Sequence, residues 1–522
     1  MNPNSHKIIL AVTGLTVLVL GILLFFIPPA LFPDPAHGFQ VLRCMQLGGG
    51  FNNFVAPDQS DIAQNYTEYL TWWSPGQYLV PYLFKLVAGL NTGQAIAITV
   101  TLAQLCGIGG FYCFFKKIGF SPVIAAVSII VIVCQQAFVV PFVYYNGGEV
   151  LLFAFEGWFL YGCASLKKPG VVLVLFVLVS GWVGFFCKSS FLWMYTAGLG
   201  CLLIRLTSNH RTILEWIKKG TWIAVPAALS LLVIYVCFIS KGESPASSAT
   251  GFKITAETFS FPLASPILSG FSVDDLVHGL IYHTGKPLFD PAWSIAILIA
   301  LAILGLLLML SLVRNVPNSN YRVYLVVFYL LAFVFFGFAY LHQVNISYEA
   351  RHFRIIGILI VPGIIYLVSK FTASLKLFFA FIFAGLAYTS VVYVVKGYKI
   401  NSDNAHGISG IAQPNIDQQS LNNVMKLDRE NKNATFVFIS DDIGLEVLHN
   451  RIINLEPIGD DLKIDMDDYR YEGFAGPLYI VLPESYNGPK EKMIMKCFPG
   501  YAGWDLSMLS ANYVLYEAKM RR

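Results

Sequence analysis

Long apolar runs separated by short polar joints dominate this chain, and the joints alternate in character. Basic residues stand at Lys7, Lys116-Lys117, Lys167-Lys168, Arg205 with Arg211, Lys218-Lys219, Arg314 with Arg322, and Lys370 with Lys376. These clusters fall at alternate ends of the apolar runs, whereas His37, His278, His283, His342, His352 and nearly every acid of the apolar region fall at or near the other ends. A run of roughly 20 apolar residues is what an α-helix needs to cross a bilayer. Only a structure that satisfies its own backbone N–H and C=O groups survives there, so such runs must be helical. Basic ends stay on the cytoplasmic side. The acids and histidines, and with them any chemistry, are therefore expected outside the cytoplasm.

Spans are expected at about 8 to 32, 94 to 115, 121 to 141, 149 to 166, 171 to 187, 190 to 206, 221 to 239, 292 to 313, 323 to 341, 353 to 369 and 377 to 395, about eleven helices in all. The first is too long for a signal-peptide core and lacks a small-residue cleavage site, so it is read as retained. The stretch from Pro75 to Leu90 is apolar and aromatic, but it is short and carries Lys85 in its middle. Counting it as a span would put Lys116-Lys117 outside and invert every later loop, so it is read as a helix lying along the outer membrane surface. The N-terminus is then cytoplasmic and the C-terminus outside.

The composition agrees, with 56% hydrophobic and 13% charged residues and a mean hydropathy of +0.62. The net charge of +4 reflects the basic joints and gives no support for nucleic acid as a partner. The cysteines show no CxxC pair; only Cys44 and Cys497 are expected outside the cytoplasm, where they could pair. The fold class expected is mainly α, a polytopic membrane domain over residues 1–395 with outer loops 33–93 and 240–291, followed by a small extracytoplasmic α/β domain over 396–522. In that tail a helix is expected from Gln418 to Glu430 with Asp417 as its N-cap. Strands are expected at Thr435 to Ser440, Ile452 to Leu455, Leu478 to Leu482 and Tyr513 to Tyr516. The tail has no GxGxxG and no Walker loop, so nucleotide binding has no support.

The first outer loop opens with Phe32-Pro33-Asp34-Pro35-Ala36-His37-Gly38, and its closing helix begins Trp72-Trp73-Ser74-Pro75-Gly76-Gln77-Tyr78. This order resembles the GT-C superfamily of membrane glycosyltransferases, particularly the branch of protein O-mannosyltransferases and the lipid A aminoarabinose transferase. In that branch an acidic motif follows the first span, an amphipathic helix closes the loop, and a basic pair follows the next span. Asp34, the Pro75 to Leu90 helix and Lys116-Lys117 take those places. The resemblance covers roughly residues 1 to 370 in layout. It implies hexosyl or pentosyl transfer, with inversion, from a polyprenyl-phosphate sugar donor to a lipid, glycan or protein acceptor, at the outer face of a bacterial inner or plasma membrane.

Such a transfer needs a base for the acceptor proton and cationic stabilisation of the departing phosphate. Asp34, at the outer mouth of the first span, is the expected base, with His37 one turn on. The family often shows Asp-Glu where this chain has Asp34-Pro35, so a second carboxylate must come from elsewhere. Glu149 opens the fourth span at the place of an acid in the family's second outer loop. Glu156, seven residues on, shares its helix face. An ionisable group inside a span costs about 2.5 to 3.5 kcal/mol on insertion scales and therefore usually faces a cavity or a partner. His278 and His283 lie in the loop that ends in Pro291-Ala292-Trp293, where relatives carry a His-containing stretch and a Pro-Trp element. Their spacing is not that of a helical metal pair, and relatives that use a metal have a Glu where Trp73-Ser74 stand here. A divalent ion is thus left open, and no other cofactor is expected.

The stretch Glu349-Ala350-Arg351-His352-Phe353-Arg354 resembles the family's Glu-x-Arg-Tyr, with His352 in the Tyr place. Arg351 and Arg354 would share a helical face and suit phosphate oxygens as a planar fork; snorkelling to lipid headgroups is the alternative. Two other functions fit the general layout. A secondary transporter would show broken helices in repeated halves and no large outer tail. A lipid-linked polysaccharide polymerase or ligase would concentrate its arginines and histidine in one late outer loop.

Overall fold

The computed structural model describes residues 4–208, 212–244, 248–271 and 291–520. The chain divides into two compact units: residues 1–20, 100–141 and 148–395 form the first, and residues 21–99, 142–147 and 396–522 the second.

Each of the eleven expected runs carries a helix. Among the described residues seven are long and apolar enough to cross a membrane: Ser5–Phe26, Thr92–Lys117, Ile213–Lys241, Trp293–Asn315, Ser319–Leu341, Ala350–Ser369 and Ala373–Asp403. The protein is an integral membrane protein. The pair Pro122–Val133 and Gln136–Phe142 bends by 73° and would count as one further span. Val171–Cys187 and Phe191–Thr207 are apolar but shorter, and Gly148–Ser165 carries the two acids expected within it. The first helix stops at Phe26, short of the expected Phe32. Pro28 and Pro29 end it, since proline offers no N–H and excludes helical geometry from the residue before it.

In the first unit, a bend in an apolar helix frees backbone carbonyls that the bilayer cannot hydrate, so other side chains must bond them. Ser390 Oγ donates to Cys134 O at 2.7 Å and Gln104 Nε2 to Phe138 O at 2.9 Å. From the bend itself, Gln135 Nε2 donates to Gly270 O at 3.0 Å. Two close helix contacts depend on missing side chains. A Cβ on Gly157 would lie 2.5 Å from the backbone N of Phe111, which brings Gly148–Ser165 onto Thr92–Lys117. A Cβ on Gly357 would lie 2.3 Å from Ser269 O, which brings Arg354–Ser369 onto Ala256–Gly270.

The second unit has a five-stranded mixed sheet in the order Tyr501–Met508, Tyr513–Met520, Leu478–Pro483, Thr435–Phe438, Arg451–Asn454. The last three run parallel, with Thr435 opposite both Arg451 and Leu478. The helix Gln418–Glu430 is capped as expected, Asp417 Oδ1 accepting from Ser420 N at 2.8 Å. Residues 33–93 belong to this unit. Ile62 is fully buried in the sheet's core, and Arg451 donates to its carbonyl at 2.6 Å. Arg43, buried on Pro33–Gln46, donates to Val447 O at 2.5 Å and Asn450 O at 2.6 Å. Cys44 and Cys497 are both free thiols: the first exchanges hydrogen bonds with Val55 and the second sits in the sheet core.

Candidate functional site

In the first unit, charged side chains from three segments meet around one small cavity. Glu149 stands in the first turn of Gly148–Ser165 and is buried. Lys188, in the joint after Val171–Cys187, makes a direct ion pair with it. Arg351, from the turn that leads into Arg354–Ser369, reaches Glu149 Oε1 through Nη1 at 3.4 Å and pairs through Nε with Glu349. The cavity has a volume of about 20 Å³, room for about one water-sized sphere. Glu149, Glu156, Lys188, Arg351 and Arg354 all line it. The Arg354 guanidinium lies 5.4 Å from the centre of the Phe153 ring. That ring in turn occupies space left by Gly107, where a Cβ would lie 2.3 Å from it. Glu156 is 3% exposed, and its Oε1 has no hydrogen-bond partner among the described residues. His352 is placed by Ser347 Oγ, 3.4 Å from its Nε2, and by the Phe336 ring.

Five of the residues expected from sequence thus fall at this cluster: Glu149, Glu156, Glu349, Arg351 and Arg354. Lys188 was not among them. It left a signal nonetheless, a lone base between two apolar runs, at an end where the alternation of charges predicts none.

Asp34 and His37 belong to the second unit. Residues Ala30–Leu31 pair in parallel with Tyr144–Tyr145, and Phe32 N donates to Tyr145 O at 3.1 Å, which fixes where Pro33–Gln46 begins. Asp34 then lies in the first turn, where the helix dipole favours a carboxylate. The turn is closely held. A Cβ on Gly38 would lie 2.9 Å from Gln77 Nε2, and one on Gly147, at φ +61°, would lie 2.5 Å from Gln77 Oε1. His37 packs on Phe54 and Trp73, with ring centres 4.9 and 5.3 Å away. Burial lowers its pKa to about 4 against the opposing pull of Asp34, so the ring is neutral at neutral pH.

His278 and His283 lie outside the described residues. Among the described residues no group of three or more His, Cys, Asp or Glu side chains is placed to hold a metal ion.

No protein-family profile matches the sequence, and no curated protein sequence does. Solved structures do match. Arabinofuranosyltransferase AftD from mycobacteria is similar over 98% of this chain at a TM-score of 0.54 and 13% identity. ArnT from Cupriavidus metallidurans, solved with undecaprenyl phosphate bound, is similar over 99% of this chain and 98% of its own at a TM-score of 0.50 and 10% identity. This chain spans 40% of the length of AftD. At these identities the likeness is one of fold. The chain shares its fold with these two proteins.

Proposed function

We propose that this protein is a GT-C-type glycosyltransferase that moves a sugar from a polyprenyl-phosphate donor to an acceptor at the outer face of the membrane, with inversion. One observation carries the reading: in a chain of this fold, Lys188, Arg351 and Arg354 from two separate segments line one small cavity. A departing phosphate needs such a group of cations, held in place before the reaction so that no reorganisation is required as charge develops. Arg351 and Arg354 offer planar donors and Lys188 a point charge. Glu149, expected as a second catalytic carboxylate, is better assigned to positioning, since its ion pairs hold Lys188 and Arg351. Asp34 takes the proton of the acceptor hydroxyl. A single displacement, with no nucleophile supplied by the enzyme, inverts the anomeric centre.

All eleven helices are proposed to cross the membrane, with the N-terminus in the cytoplasm and residues 396–522 outside it, beyond a membrane domain of residues 1–395. The seven long apolar helices and the alternating basic joints support that topology. The sugar is a hexose or a pentose, and the acceptor a lipid, glycan or protein.

Arg351→Lys tests the reading. An ammonium cannot bridge Glu349 and Glu149 while also offering a fork to phosphate. The loss expected is about 2 to 3 kcal/mol, roughly 30- to 150-fold in affinity for undecaprenyl phosphate. Binding is measured on folded, detergent-purified protein. Equal affinity in the Lys variant would assign Arg351 to lipid headgroups and remove the phosphate's partner.

A further inference from the structure

The first unit holds a second and much larger cavity, of about 800 Å³, which no role assigned so far employs. Its walls come from two segments, residues 248–258 and 340–348. They are tied to each other: Lys253 N donates to Leu341 O at 2.9 Å, and Asn345 N to Ser248 Oγ at 2.8 Å. A capping box between Thr255 and Thr258 secures the start of Ala256–Gly270 on the same wall.

We infer that this cavity binds a neutral saccharide, an inference that rests on the glycosyltransferase reading above. Among the described lining residues the charges are Lys253 and Glu257, one of each sign, so the wall carries no net positive charge for a phosphate or carboxylate. Most of the remaining lining is hydroxyl and amide, Thr250, Gln343, Asn345 and Ser347 among it. A sugar can exchange its bonds to water for bonds to these groups. Tyr348, half-buried, also lines the cavity and is backed by the buried Tyr340, the stacked ring centres 4.1 Å apart. Paired aromatic rings give a rigid apolar surface of the kind that suits the C–H face of a sugar ring. The volume falls within the roughly 300 to 1,000 Å³ usual for small-molecule sites. Position agrees with chemistry, because Tyr348 is three residues from Arg351 and so at most about 11 Å from it along the chain. The saccharide wall and the cation cluster thus draw on neighbouring residues of one segment. The saccharide is either the sugar of the donor or the terminal sugar of an acceptor glycan.

The test is saturation-transfer NMR on full-length, detergent-purified protein. The probes are the methyl glycosides of mannose, galactose, glucose and arabinofuranose. The wild type should give saturation transfer to at least one glycoside, and Asn345→Ala and Glu257→Gln should each weaken that binding about fivefold, the worth of one hydrogen bond. Absence of any signal from the wild type, or unchanged binding in both variants, would overturn the inference. A farnesyl-phosphate derivative of the bound sugar separates the sources, since displacement of the glycoside identifies the donor sugar and simultaneous binding identifies the acceptor. Undecaprenyl phosphate affinity, followed on the same preparations, should be kept in the cavity variants. Its behaviour in Arg351→Lys therefore judges the phosphate site independently of the saccharide result.

Discussion

Replacing Glu149 by Gln tests whether the ion-pair network is held as described. Glu149 is 8% exposed and Lys188 18%, so the pair is largely shielded from water, and removing one partner leaves a charge without its counter-ion. Breaking such a pair costs about 3 to 5 kcal/mol. Arg351 contributes less, because it is 32% exposed and contacts Glu149 at 3.4 Å, which places that contact near the ~0 to 1 kcal/mol of exposed pairs. Gln keeps the size and one acceptor oxygen, so a loss of about 3 kcal/mol is expected, at the lower end of the buried range. The assay is denaturant unfolding of detergent-purified protein, followed by tryptophan fluorescence. The double variant Glu149→Leu with Lys188→Met removes both charges and replaces them with apolar bulk, and should recover most of the loss. A Glu149→Gln protein as stable as its parent, or a double variant no better than Glu149→Gln, would refute the argument that burial makes this pair indispensable.

Asp34→Asn keeps size but removes the base, so turnover should fall by about two orders of magnitude with donor binding largely kept; near-normal turnover in a single-turnover assay removes Asp34 from the mechanism. A reporter fused after residue 395 should read the non-cytoplasmic side, and a cytoplasmic signal would overturn the alternation drawn from the basic clusters. Acid should weaken the second unit through His37. Its folded pKa is lowered to about 4 from 6.5, so the unfolded chain takes up the proton first as pH falls. The contribution is fully present above about 6.5 and lost as pH falls towards 4, with a span of about 3 kcal/mol. His37→Asn should flatten the dependence of unfolding on pH in that window, and an unchanged slope would show that His37 is not its source.

Apolar runs of bilayer length and the alternation of basic joints made the helices legible from sequence, because both are local and additive along the chain. The fold shared with AftD and ArnT was expected from the order of Asp34, the Pro75 to Leu90 helix and Lys116-Lys117. The strands Thr435–Phe438, Arg451–Asn454, Leu478–Pro483 and Tyr513–Met520 could be read because their apolar residues are continuous or alternate. Tyr501–Met508 was not readable. It is an edge strand with exposed positions, an irregular register between Ala502 and Asp505, and Gly503 and Asp505 in its middle, so its pattern resembles a loop until Tyr513–Met520 pairs with it. Glu149, Glu349 and the arginines stood out one by one as charges in costly places. That Lys188 and Arg351 both close on Glu149, and that residues 21–99 share a compact unit with residues 396–522, was decided by the tertiary structure alone. Ion pairs and shared cores between segments hundreds of residues apart depend on how helices pack, and packing depends on small residues such as Gly157 and Gly357, which leave no trace in hydropathy.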